Sequence, residues 1–243
     1  MGGRLVIAFS RTRWTPGMDS LVAMWFRRKA DPDTTDFRRV LFGNLPPEEW
    51  PPEGDAADYP WSLFSTAREA WRAGDKQSAV VAWRSIAHDS QLESRHNLQA
   101  WHFLRLAGVQ PLVEEAAQLL GVMAEVAVGR EHDLLVAYAD GTARYLNHAG
   151  GVAVIDDVML GGLSEAVQTW LGVGQRLAGI VGLWDKAILP PLPPGQTRIL
   201  MLTPGGFRFG QGPDAALRSD PAGSDFLQAA TRVLLVVTAH SAK

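Results

Sequence analysis

The chain has 243 residues, and 47% of them are hydrophobic, which is enough to build a sizeable buried core. Lys and Arg total 23 against 26 Asp and Glu, and the formal net charge of −3 argues against a nucleic-acid partner, since phosphate binding needs a basic surface. The absence of cysteine excludes disulfides, thiolate catalysis and cysteine-ligated metal centres.

The amino-terminal region carries no recognisable targeting signal. Its apolar run, Leu5–Phe9, is shorter than a signal-peptide core and is followed by Arg11 and Arg13. No apolar stretch of the chain approaches the length of a transmembrane helix, so we expect no membrane partner and a cytoplasmic protein. Met24 opens a segment typical of an intracellular amino terminus, and we hypothesise that translation begins there or at Met18.

Residues 1–60 are predicted to form an N-terminal extension followed by a proline-rich arm. The arm contains the pairs Pro46–Pro47 and Pro51–Pro52 among several other prolines. Proline fixes φ and removes an amide donor, so we expect no regular structure to run through residues 31–60.

Residues 61–120 have helical periodicity and are predicted to form a helical hairpin subdomain. Gly74 and Asp75 separate the first two helices, with Asp75 as the N-cap of the second helix. Ser90–Glu93 has the capping-box pattern, and Pro111 suits the first turn of a helix. These residues therefore predict the starts of a third and a fourth helix.

The first hairpin of this subdomain resembles a single tetratricopeptide repeat. The resemblance lies in the spacing of Ala67, Gly74–Asp75, Ala79 and Trp83. It covers about one repeat, whereas a solenoid needs about three repeats to bury a continuous core. We therefore interpret the helices as a structural subdomain, with a peptide-binding array as the alternative.

Residues 121–243 change to strand-like periodicity. The strongest signal is Asp140–Gly141 between two strand-like runs, because this pair favours the tight turn of a β-hairpin. Short links between the runs indicate an antiparallel meander. The predicted strands are residues 122–128, 134–139, 142–147, 152–155, 197–202 and 207–209.

Two amphipathic helices are predicted to cover this sheet. Apolar residues from Leu163 to Val181 fall on one helical face, and Asp220–Pro221 opens a second helix near the carboxyl terminus. A rigid proline-rich segment, Pro190–Gly195, precedes the last two strands. The predicted fold class is α+β, with N-terminal helical hairpins followed by an antiparallel meander sheet of about six strands flanked by helices in residues 121–243.

Three segments of this domain resemble those of an uncharacterised family of bacterial proteins. They are Ala137–Asn147 (AYADGTARYLN), Leu183–Asp185 with the prolines at 190–194, and Phe207–Pro213 (FRFGQGP). The resemblance covers roughly residues 112–243. It implies a bacterial origin and a shared fold, and it supplies no mechanism.

No familiar catalytic, phosphate-binding or metal-binding motif occurs in the sequence. Gly-x-Ser-x-Gly, Gly-x-x-x-x-Gly-Lys and His-Glu-x-x-His are all missing. His96 and His102 lie six residues apart on one predicted helix and therefore point in different directions. The adjacent residues Glu131–Asp133 cannot all converge on one ion. We therefore predict no catalytic residue, no cofactor and no metal site.

The polar residues around the hairpin turn are the best candidates for contact with a ligand or a partner. Side chains alternate along a strand, so Arg144 shares one face with Leu146, and Tyr145 shares the other with Asn147. Arg144 is predicted to pair either with an anionic ligand or with Asp185. The full candidate set is Asp140, Arg144, Tyr145, Asn147, His148, Trp184 and Asp185.

These observations favour a noncatalytic protein-interaction or docking module. A sheet flanked by helices resembles the profilin-like folds, which include docking platforms, although a fold alone does not imply a function. The expected partner is another protein or a second copy of the chain. The alternatives are a small-ligand-binding sensor or an enzyme with an unfamiliar site near Arg144 and Asp185.

Overall fold

The computed structural model describes residues 34–51, 58–156, 161–186 and 189–241. The hypothesised translation starts at Met18 and Met24 lie outside these ranges. The chain divides into two compact units, with the boundary between Pro111 and Leu112. Within the described ranges, no helix combines the length and the hydrophobicity that crossing a membrane requires.

The described part of the first unit contains four α-helices and a short 3₁₀ helix, Pro47–Glu49. The α-helices are α1 (Thr34–Phe42), α2 (Trp61–Arg72), α3 (Lys76–Ala87) and α4 (Ser94–Leu106). Gly74, with a φ of +83°, makes the turn between α2 and α3. The Asp75 carboxylate accepts a hydrogen bond from the Ser78 amide at 3.1 Å, which confirms the prediction that Asp75 caps the second helix.

Two expectations for this unit are wrong. Helix α1 lies inside the region that was expected to lack regular structure, because its sequence between Pro32 and Pro46 contains no proline. The third helix begins at Ser94 and not at the predicted capping box. The amide of Gln91 donates instead to the Asp89 carboxylate at 2.9 Å, which holds this segment in a turn.

An aromatic cluster fills the first unit. The buried rings of Trp50 and Trp61 have centroids 5.2 Å apart, and those of Trp83 and Phe103 are 5.1 Å apart. Large aromatic side chains dominate the energetics of a core, so these residues tie the proline-rich arm to the helices.

The second unit is built on a six-stranded antiparallel sheet with strand order β4-β3-β2-β1-β5-β6. Its strands are β1 (Gly121–Val128), β2 (Glu131–Tyr138), β3 (Ala143–Leu146), β4 (Val152–Ile155), β5 (Gln196–Thr203) and β6 (Gly206–Pro213). The described helices of this unit are α5 (Val113–Ala116), α6 (Leu163–Ala178), α7 (Asp214–Ser219) and α8 (Pro221–Ser241). The predicted α+β class is therefore confirmed.

The Asp140–Gly141 turn joins β2 to β3, as the sequence predicts. Gly141 has a φ of +87°, which glycine adopts without Cβ strain. The amide of Tyr138 donates to the carbonyl of Thr142 at 3.0 Å and closes the hairpin. The resulting register places Val136 opposite Arg144, and so fixes the face on which each β3 side chain lies.

Helices α6 and α8 pack on one face of the sheet. The rings of Trp170 on α6 and Phe226 on α8 have centroids 5.4 Å apart in the core between these helices and the sheet. At Gly174 of α6, a Cβ would lie 2.5 Å from Cγ1 of Val122, so the close approach of the helix to β1 requires glycine. The opposite face of the sheet carries a second set of buried side chains, which includes Met123, Glu125, Val136, Arg144, Arg198 and Leu200.

Candidate functional site

The seven candidate residues do not gather at one place. Arg144 and Tyr145 lie on opposite faces of the sheet, and Tyr145 packs against the core under α6 and α8. Trp184 and Asp185 belong to a segment that borders β6. Because β6 is four strand spacings from β3 and the segment lies on the far side of β6, the segment is at least roughly 19 Å from Arg144.

Arg144 forms a largely buried ion pair with Asp156, the residue that follows β4. Its guanidinium also donates to the carbonyls of Ala143 at 3.0 Å and Ile155 at 3.2 Å. The predicted pairing with Asp185 is wrong, since Asp185 is exposed and lies beyond the opposite edge of the sheet. The register of β3 with β4, which sets Ala143 opposite Ile155, brings Asp156 beside Arg144.

Asp140 and Asn147 hold the turns at the two ends of β3. The Asp140 carboxylate accepts a hydrogen bond from the Thr142 amide at 2.9 Å. The side-chain oxygen of Asn147 accepts from the amides of Ala149 at 3.0 Å and Gly151 at 2.8 Å. Short polar side chains that satisfy nearby amides are typical of turns, so both residues have a structural role.

Tyr145 and His148 meet at a residue outside the candidate set, Asp133 of β2. One oxygen of the Asp133 carboxylate accepts hydrogen bonds from the His148 amide at 2.7 Å and from its Nδ1 at 2.8 Å. The other oxygen accepts from the Tyr145 hydroxyl at 3.2 Å. Burial and the neighbouring Asp133 carboxylate raise the pKa of Tyr145 to about 12, because both disfavour the phenolate.

This arrangement leaves the Nε2 side of His148 away from Asp133. A carboxylate that holds Nδ1 and so orients the imidazole is a recurring part of acid–base sites. The His148 side chain is half exposed, in keeping with a contact residue at the surface. The sequence does contain a signal for this pair, since Asp133 and His148 lie at equal distances before and after the Asp140–Gly141 turn.

The sequence did not reveal a buried polar network on the face of the sheet that α6 and α8 do not cover. Glu125 of β1 and Arg198 of β5 are directly opposite each other and form an ion pair at 3.0 Å, with both side chains fully buried. Arg198 also donates two hydrogen bonds to the side-chain oxygen of Gln211, at 3.0 and 2.9 Å. A fourth bond, of 2.6 Å, reaches the carbonyl of Pro190. The sequence signal for this network was a charged residue within each of the otherwise largely apolar strands β1 and β5.

Residues 179–186 and 189–195, between α6 and β5, are called the connector here. The amide of Trp184 donates to the carbonyl of Phe207 at 2.7 Å, and the amide of Phe209 donates to Gly182 at 3.2 Å. The Trp184 ring packs on Phe209 at 4.6 Å between centroids. The connector therefore extends the sheet beyond β6 along a short stretch. Its neighbouring side chains Ile180 and Leu183 are exposed.

Two of the three histidines of the helical unit, His96 and His102, lie in separate environments. His96 packs edge-on against Trp61, with centroids 4.8 Å apart. Burial and the positive charges of Arg105 and Arg39 lower the pKa of His102 to about 3, which keeps this ring neutral at physiological pH. No group of three or more metal-ligating side chains is found in the part of the chain that the structure describes.

A shallow, open groove lies beside α5 in the second unit, lined by Glu114, Glu115, Ala117, Gln118 and Gln175. The Gln175 amide is itself used to bind the backbone, since it donates to the carbonyl of Ala117 at 3.2 Å. None of the seven candidate residues lines this groove.

Comparisons with protein-family models, curated protein sequences and solved structures gave no match to this chain. The resemblance to an uncharacterised bacterial family therefore stays a prediction. Any functional assignment has to come from the geometry described above.

Proposed function

We propose that this protein is a noncatalytic docking module that binds another protein through the connector. One observation carries the proposal: Ile180 and Leu183 are 76% and 54% exposed while the backbone beside them is hydrogen-bonded to β6. Apolar side chains presented on an ordered backbone suit a protein interface, because little conformational entropy is lost when the partner binds.

The roles of the polar candidates support docking over catalysis. Arg144 is engaged by Asp156 and by two carbonyls, and Asp140 and Asn147 bond the amides of their own turns. A catalytic acid or base has to come within hydrogen-bonding reach of its substrate. These side chains are instead committed to holding the fold, whereas the exposed apolar side chains of the connector remain available to a partner.

The test compares the wild-type protein with Ile180→Ser/Leu183→Ser and with the control Leu235→Ser. Leu235 lies on α8 and is 63% exposed, so it matches the substituted residues in exposure but lies outside the connector. Each immobilised full chain is used to enrich proteins from the cells that produce it. The enriched partner is then purified, and its dissociation constant for the three proteins is measured by calorimetry.

We expect the partner to bind the wild-type protein and Leu235→Ser with equal affinity. It should bind the connector variant at least about tenfold more weakly, as for loss of an interface anchor. Self-association that the connector variant abolishes would identify a second copy as the partner. A partner that binds all three proteins equally would contradict the proposal, as would the recovery of no specific partner.

A second candidate function is favoured by the pairing of Asp133 with His148. In this alternative, the oriented imidazole contacts a small ligand or a substrate, as in a sensor or an enzyme. A thermal-shift screen of small metabolites against the wild-type protein and His148→Ala tests it, because a ligand that binds the native state raises the melting temperature. A compound that stabilises only the wild-type protein would favour this candidate over docking.

A further inference from the structure

The connector ends in a run of prolines, Pro190–Pro194, with Leu192 at its centre. Proline fixes its own φ near −65° and also drives the preceding residue out of the helical region. Every residue from Leu189 to Pro194 is therefore restricted by one of these effects or both. Such a run favours the polyproline II helix, which has three residues per turn and no internal hydrogen bonds.

The burial of these residues follows a period of three. Leu192 is only 3% exposed and Leu189, three residues earlier, is half-buried. The four prolines between and after them are all exposed. In a helix with three residues per turn, the leucines form one edge, which faces the protein. The pairs Pro190 with Pro193 and Pro191 with Pro194 form the other two edges, which face solvent.

Two hydrogen bonds hold this run on the sheet. The carbonyl of Leu192 accepts from Nε2 of His132 on β2 at 3.1 Å. The carbonyl of Pro190 accepts from Arg198, whose guanidinium is fixed by its buried pairing with Glu125. The run of prolines is therefore ordered by the fold itself, and a partner that binds it does not have to supply that ordering.

Two prolines in the described part of the arm are, by contrast, not exposed. Pro47 and Pro51, from the two proline pairs of the arm, are buried in the first unit. They are part of the packing and are not available to a partner. The combination of a buried leucine edge and two exposed proline edges is therefore a property of residues 189–194.

We propose that residues 189–194 form a polyproline II ridge that is recognised by a partner protein with an aromatic-lined, proline-accepting groove. Grooves of this kind bind proline-rich segments by packing aromatic rings against the exposed proline rings, and they favour segments that are already extended. The inference rests on the proposed docking function and adds to it the chemical class of the partner.

The direct test titrates the full chain into a purified WW domain, a small module whose aromatic-lined groove binds proline-rich segments. Because the chain itself contains nine tryptophans, binding is followed by the fluorescence anisotropy of a WW domain labelled with an extrinsic dye, and it is confirmed by calorimetry. The variants are Pro191→Ala/Pro194→Ala and Pro190→Ala/Pro193→Ala, each of which alters one exposed edge. Pro221→Ala is the control, because Pro221 is an exposed proline at the start of α8.

We expect the wild-type protein and Pro221→Ala to bind equally, and at least one of the two edge variants to bind about tenfold more weakly. The substituted side chains are exposed, so melting temperatures of the variants should stay close to wild type and verify that the fold is kept. An absence of binding between the wild-type protein and the WW domain would overturn the inference. Binding by both edge variants as tight as that of the wild-type protein would also overturn it.

The same variants separate this inference from the proposed function. A cellular partner that is lost with Ile180→Ser/Leu183→Ser but retained by both edge variants would leave the docking function standing and overturn the ridge. A partner lost with the edge variants supports both. A protein that binds the WW domain through its prolines, yet has no cellular partner sensitive to any connector substitution, would support the ridge chemistry and contradict the docking function.

Discussion

The buried ion pair between Glu125 and Arg198 offers the most demanding test of the sheet. Arg198→Met removes the guanidinium and leaves the fully buried Glu125 carboxylate without the positive charge opposite it. The same change removes the donors that reach Gln211 and the Pro190 carbonyl. Removing one member of a buried pair costs about 3 to 5 kcal/mol. We expect Arg198→Met to lower the free energy of unfolding by that amount.

This loss is a large part of the stability of a typical domain, which is about 5 to 15 kcal/mol. At roughly 2 to 4 °C per kcal/mol, it corresponds to a decrease in melting temperature of roughly 6 to 20 °C. Differential scanning calorimetry of the full chain measures the decrease. Because the chain has two compact units, its unfolding need not be two-state, and hydrogen exchange of the β1 and β5 amides identifies the transition of the sheet.

Two further variants make the reasoning refutable. Glu125→Leu/Arg198→Met removes both charges, so no buried charge is left uncompensated, and the double variant should lose much less stability than Arg198→Met alone. Arg218→Met removes an arginine from an exposed pair with Asp214 and should cost no more than about 0.5 kcal/mol. Equal losses for Arg198→Met and Arg218→Met, or additive losses in the double variant, would refute the assigned energetics.

Three other predictions follow from the geometry of the sheet unit. Gly174→Ala should destabilise the fold by about 1 to 3 kcal/mol, because its Cβ would meet Val122. Gly172→Ala on the same helix has open space and should stabilise the fold by up to about 1 kcal/mol. Thermal unfolding measures both variants, and equal effects would contradict the close approach of α6 to β1. Arg144→Ala and Asp156→Ala should each destabilise the protein, with a double variant that costs less than their sum, so additive melting-temperature losses would argue against the pairing. The stability contributed by the raised pKa of Tyr145 is present below about pH 10 and is lost as the pH rises toward 12. In alkaline denaturation, Tyr145→Phe should therefore lose less stability than the wild-type protein over that range. Parallel stability curves for the two proteins would contradict this prediction.

Local structure could be predicted from the sequence wherever a few adjacent residues decide the conformation. The Asp140–Gly141 hairpin needed only a glycine with positive φ between two β-rich runs. The cap at Asp75 needed only an acceptor three residues before the Ser78 amide. The opposite faces of Arg144 and Tyr145 follow from alternation along a strand.

Local signals failed where a second, longer-range contact competed with them. Strand β6 extends to Pro213, beyond the predicted end at residue 209, because each of its residues pairs with β5. The glycines at 210 and 212 sit opposite Ile199 and Thr197 within this pairing. The ladder therefore overrides the weak strand propensity of glycine.

What the sequence determined by itself was the α+β class, the meander of β1 to β4, and the amphipathic helices that cover the sheet. It proposed Asp140 and Asn147 as contact residues for a ligand or a partner, and periodicity could not say that their side chains bond their own backbone. That assignment required the hydrogen bonds at 2.8 to 3.0 Å.

The tertiary structure alone decided the partners of the charged residues. Glu125 and Arg198 are 73 residues apart, and they meet because β5 joins the sheet beside β1. Arg144 takes Asp156 because of the register between β3 and β4. Strand order and register depend on the packing of the whole unit, so a pattern read along one segment contains no information about which distant charge or surface will lie beside it.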